Sequence, residues 1–194
     1  MKIDDKLIKK YKDIGKKHRS SLLKISRRSV LGSSVIRVFD PDSKPILQKC
    51  LKKINVDDLL RLKGQTAYKA WFQNHLSKLS REIRKSNPKN ANIYPGYKWG
   101  HATKILNLYI REVVEYKRYF GESKAAKIRK WLYMPIDSQV MKEIHALGHT
   151  LPFNKIKHID TAKKFYGVQD LLGQAASAVN VPRIWFDDVW ADRE

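Results

Sequence analysis

Between Gln65 and about Arg84, apolar residues recur at helical spacing: Tyr68, Trp71, Phe72, Leu76, Leu79 and Ile83 share one face. Residues 100–120 repeat the pattern. On a helix of about 3.6 residues per turn, Ala102, Ile105, Leu106, Tyr109, Val113, Tyr116 and Phe120 make one apolar stripe. Such a stripe is ordinary core packing. Lys104 falls nearly opposite, in line with Leu108, Arg111 and Glu115. It must face solvent or a cleft.

The remaining pattern is helical too. Residues 2–12 and 17–31 predict two short basic helices joined at Gly15, and Asp42 caps a helix from about Ser43 to Ile54. Asn55 caps a next helix in VDDLLRL, which Gly64 ends. Two Pro, two Gly and three Asn make SNPKNANIYPGYKWG, 86–100, a loop or tight turns. A long helix then runs from about Gly100 to Phe120 and stops at Gly121. ESKAAKIRKWL is another, with Pro135 at or beyond its end. Asp137 opens SQVMKEIHAL, Asp160 starts TAKKFYGVQDLLGQAASAV, and Pro182 begins a terminal RIWFDDVW. The best strand candidate is the short SVIRVF at 34–39. The expected class is therefore all-α: one compact multi-helix domain over 1–194, without internal repeats.

Charge changes the picture most. Forty Lys and Arg against nineteen Asp and Glu leave a formal net charge of +21. The surface must therefore carry a strong positive field, and the natural partner is a polyanion such as DNA. No long apolar run or lipidation signal accompanies the charge, which disfavours a membrane partner. The basic clusters are Lys124, Lys127, Arg129 and Lys130, and an N-terminal run of Lys16, Lys17, Arg19, Arg27 and Arg28. The single cysteine, Cys50, excludes an internal disulfide and sits where a small buried side chain fits. With no apolar signal-peptide core in the first twenty residues, a cytoplasmic, monomeric protein is expected.

Read alone, Asp137 is a good helix N-cap and Lys104 a lysine on a polar face. Their order and context add more. GHATK (Gly100, His101, Ala102, Thr103, Lys104) followed by Pro135-Ile136-Asp137 resembles the signature of the helix-hairpin-helix DNA glycosylase superfamily. There, a G-x-G-x-K hairpin opens a helix and a P-x-D segment brings the active-site aspartate. LLRLKGQTAYKAW is similar to the L-x-x-Q-T stretch of the endonuclease III and adenine glycosylase branches. The resemblance spans roughly 55–180, leaving 1–54 as a basic N-terminal helical part. Ala102 stands in place of the second hairpin glycine, and an inserted basic helix separates Lys104 from Asp137. No four-cysteine cluster follows, so no iron–sulfur cofactor is implied.

The resemblance implies a helix-hairpin-helix element and an enzyme that everts a damaged or modified base and cleaves its N-glycosidic bond. Asp137 would stabilise positive charge developing on the sugar, and Lys104 would be the nucleophile attacking C1′. Gln65 matches the position of an intruding wedge. Hairpin amides near Gly96 to Gly100, with His101 and Lys98 beside them, would bind a phosphate. Tyr94, Tyr97 and Trp99 are the stacking candidates for the everted base. Lys104 and Asp137 are then expected to converge on one positively lined groove. Two rivals remain: a non-catalytic basic nucleic-acid-binding protein, and a small helical nuclease. For the nuclease, His145, His149 and His158 lack compact zinc spacing, while Asp187 and Asp188 would either hold Mg²⁺ or cap a helix.

Overall fold

Gly15 does not divide the N-terminal segment. A single helix, α1, runs Asp5–Gly32 straight through it, because one interior glycine costs only about 1 kcal/mol relative to alanine. The structure is a computed structural model, and it describes residues 5–32, 39, 43–86, 97–116 and 119–191. The expected Asp42 cap and most of the strand candidate at 34–39 lie outside these residues, as do Tyr94 and Gly96.

All regular structure among the described residues is helical. After α1 come α2 (Ser43–Lys52), a 3₁₀ turn (Val56–Arg61) and α3 (Gln65–Ser86). The stretch read as a long helix from Gly100 is α4 (Thr103–Arg111), flanked by π-helical turns at Lys98–Ala102 and Glu112–Tyr116. Then follow α5 (Glu122–Arg129), α6 (Ser138–Ala146), a 3₁₀ turn (Ile156–His158), α7 (Ala162–Ala178) and α8 (Trp185–Ala191). Gly121, at φ 72° and ψ 159°, turns the chain into α5. That left-handed φ is one a side chain would resist.

The core gathers the two stripes that the sequence displays. On α3, Tyr68, Phe72, Leu76, Leu79 and Ile83 are all buried, while Trp71 is half-buried at the edge. Phe72 lies parallel to Phe165 of α7 at 6.0 Å, and Tyr133 meets both rings edge-on. Fully burying one such side chain stabilises by about 1.5–3 kcal/mol.

Helix α4 is the central element, and it is buried on nearly every side. Its apolar stripe is covered as expected, but so are Thr103, Asn107 and Ile110. The polar line Lys104–Leu108–Arg111–Glu115 is covered as well. The choice between solvent and cleft resolves differently: that line packs against other elements of the same chain.

Candidate active site

Lys104 leaves the first turn of α4 and meets Asp137, its Nζ donating to Oδ2 at 3.1 Å. The side chains are 13% and 29% exposed, so the pair is sheltered but not sealed. Asp137 is also the N-cap of α6. Its Oδ1 accepts the backbone N–H groups of Gln139 and Val140, both at 3.0 Å. One carboxylate thus divides its work, with one oxygen ending a helix and the other holding an ammonium. Burial by itself would raise the carboxyl pKa. The Lys104 charge and the two amides outweigh it and hold the pKa below the ordinary aspartate range.

The position of Asp137 is set by how the strap 131–137 is tied down. Trp131 and Leu132 close α5, after which Leu132 to Asp137 run without helix. Gln169 of α7, fully buried, grips the strap with both ends of its amide. Its Nε2 donates to the Met134 carbonyl at 2.8 Å, and its Oε1 accepts the Met134 N–H at 2.9 Å. Arg183 donates to the carbonyls of Trp131, Leu132 and Gln169. A chain that leaves helix inside a core must satisfy its backbone this way.

The pair is one of three along the same face of α4 and its following turn. Arg111 pairs with Asp187 of α8 and approaches Asp188 at 4.0 Å. Glu115 accepts two bonds from Arg129 Nε of α5, at 2.8 and 2.9 Å. One helix face therefore binds three elements through three opposite charges. Asn107, one turn from Lys104, is buried, and neither of its amide atoms is hydrogen-bonded among the described residues.

Other expected site residues fall elsewhere. Arg129 is not a surface phosphate ligand: 12% exposed, it is engaged by Glu115 and Glu122. Lys124, Lys127 and Lys130 of the same segment are exposed. Tyr97 is 2% exposed and packs edge-on against Phe39, so it is core rather than base pocket. Trp99 is half-buried against Phe165 and Tyr166, with Lys98 Nζ 5.2 Å from its ring centre. Gln65 is exposed at the start of α3, and its Nε2 donates to the Trp131 carbonyl at 3.3 Å. It braces the strap.

Of the expected hairpin, only the part from Tyr97 onward lies within the described residues. Tyr97 already has helical dihedrals, and Lys98–Ala102 is a π-helical turn running directly into α4. Gly100 therefore sits in the first helical turn of this stretch. Its lack of a side chain serves packing, since a Cβ there would collide with the Ile156 carbonyl. The Thr103 hydroxyl bonds the Gly100 carbonyl at 2.8 Å. His101 is buried beneath this turn, and desolvation, assisted by the Lys104 charge, lowers its pKa to about 4. It is a neutral core histidine.

The four described concavities are walled by other residues, and none includes Lys104 or Asp137. Among the described residues no group of three or more His, Cys, Asp or Glu could hold a metal ion, and Asp187 is engaged by Arg111. No described helix is long and apolar enough to cross a membrane.

Sequence reasoning missed Gln169, Arg183 and the partners of Arg111 and Glu115. The in-line spacing of 104, 108, 111 and 115 was the signal for a shared ionic face, but spacing names no partner. No family model matches this chain, and no curated protein or solved structure matches it significantly.

Proposed function

We propose that the chain is a DNA glycosylase whose reacting groups are Lys104 and Asp137. The observation that carries this reading is their direct contact across a long stretch of sequence, at 3.1 Å. An amine and a carboxylate at that distance suit the chemistry. The ammonium is no nucleophile, and Asp137 Oδ2 is within reach to take its proton. The freed amine attacks C1′ of an everted nucleotide as the C1′–N bond breaks and Asp137 passes its proton to the departing base. Proton transfer from the new secondary ammonium to O4′ then opens the sugar ring to a protonated Schiff base, which permits strand cleavage by β-elimination. Asp137, returned to the carboxylate form that its lowered pKa favours, then offsets the positive charge at C1′. The sugar must part the pair to enter. The excess of positive charge favours a polyanionic substrate.

The test is incubation with duplexes carrying different altered bases, followed by alkali to reveal abasic sites. Asp137→Asn is expected to abolish cleavage and retain duplex affinity. Full cleavage by that variant would remove Asp137 from the mechanism.

A second reading has its own support. Lys104–Asp137 is one of three ion pairs along one helix face, and the other two tie elements together. In that reading the pair is structural and the protein binds nucleic acid without cleaving it. Tight binding with no abasic product on any duplex supports it.

A further inference from the structure

A cleft far along α3 from Gln65 combines three cations with two hydroxyls. Ser77, Ser80, Arg81 and Arg84 line it from α3, and Lys98 closes it from the turn that leads into α4. On a helix, positions 77, 80, 81 and 84 share one face. The cleft volume is ≈ 510 Å³, ample for a phosphate group.

Ser80 singles this cleft out from the generally basic surface. The residue is 4% exposed, yet its hydroxyl has no hydrogen-bond partner among the described residues. A serine inside a helix commonly donates to the carbonyl four residues back, as Ser26 does to Leu22. Ser80 does not. Glu82, next to Arg81 in sequence, meets its guanidinium at 3.8 Å. A sheltered donor without an acceptor, ringed by two guanidinium groups and an ammonium, suits a tetrahedral oxyanion.

We propose that the cleft bounded by Ser77, Ser80, Arg81, Arg84 and Lys98 binds a phosphate group, held on a nucleic acid as one backbone phosphodiester. The guanidinium groups take the phosphate oxygens, and the Ser80 hydroxyl, shut off while the cleft is empty, turns outward to donate to one of them. The nucleic-acid half of this statement rests on the proposed function; the phosphate half does not. The site is independent of the Lys104–Asp137 pair and supplies grip rather than chemistry.

The experiment uses the full chain in two arms. Fluorescence anisotropy with a labelled duplex is measured over a series of salt concentrations, and inorganic phosphate is titrated by phosphorus NMR. Variants are Arg81→Gln with Arg84→Gln, Ser80→Ala alone, and a control of equal charge change, Lys142→Gln with Lys163→Gln. Circular dichroism checks that each is folded. The arginine pair is expected to weaken duplex binding about tenfold and flatten the log–log salt slope by about 1. The control should lose less than about threefold, as expected for charges that touch no phosphate. Ser80→Ala should weaken binding a few-fold with the slope unchanged, which a merely diffuse field would not produce. Equal losses in the arginine pair and the control, with Ser80→Ala at full affinity, overturn the site. If the chain binds no duplex but phosphate broadening is present and vanishes in the cleft variants, the phosphate site stands and the nucleic-acid reading falls. Absence of both signals overturns the site.

Discussion

Asp137 Oδ2 accepts the Lys104 ammonium at 3.1 Å while Oδ1 caps α6. The cap and the proposed chemistry thus fall on one side chain, and substitutions can separate them.

Asp137→Ser keeps a capping oxygen and removes the charge, whereas Asp137→Ala removes both. The difference in urea unfolding between these two variants should be about 1 kcal/mol, the value of an N-cap. Equal stabilities would mean that Asp137 does not cap α6.

The sign of the acid response follows from the depressed Asp137 pKa. The unfolded carboxyl binds its proton first as pH falls, so the stabilisation is present above the unfolded pKa, about 4. It is lost as pH drops through the folded value. Asp137→Ser should therefore show a shallower loss of stability below about pH 4 than the wild type. Parallel curves would contradict the pairing with Lys104.

His101 acts in a different window. Its folded pKa of about 4 lies below the free value of 6.5. Between these values the unfolded chain binds the extra proton, so stability rises with pH across that window. His75, also lowered by burial, adds in the same direction. An NMR titration of the His101 ring should give a midpoint near 4. A midpoint near the free value would place the ring in solvent.

Much of this architecture was legible in the chain. The stripes of α3 and α4 could be read because a buried face leaves an apolar periodicity. The reach from Lys104 to Asp137 was anticipated only through the order of GHATK and PID. Gly15 misled because a glycine's small helix penalty is outweighed by the residues on either side. Gly100 was only half legible: glycine marks both tight turns and close approaches, and the approach here, to the Ile156 carbonyl, has no sequence signal of its own. Arg129 read as surface charge because Glu115 reaches it from the turn that follows α4, while Glu122 lies two turns back on its own helix. The grip of Gln169 on Met134 left no periodic trace at all.

That grip makes a prediction of its own. Gln169→Leu fills similar volume but orphans the buried N–H and carbonyl of Met134, each costing about 1–3 kcal/mol. Urea unfolding should show a loss of about 3 kcal/mol. A loss under about 0.5 kcal/mol, typical of surface changes, would mean the strap is held otherwise.

Gly100→Ala should be costly through overpacking, at least about 2 kcal/mol, because the Ile156 carbonyl must move. A stable, unshifted variant would refute the close approach of that loop.

The most direct test of the central claim needs no knowledge of the altered base. The chain is incubated with a duplex carrying one abasic site, borohydride is added, and the product is resolved by denaturing electrophoresis and peptide mapping. A protein–DNA adduct mapping to Lys104, and absent from Lys104→Ala, is the expected result. No adduct in the wild type, or an undiminished adduct in Lys104→Ala, contradicts the account.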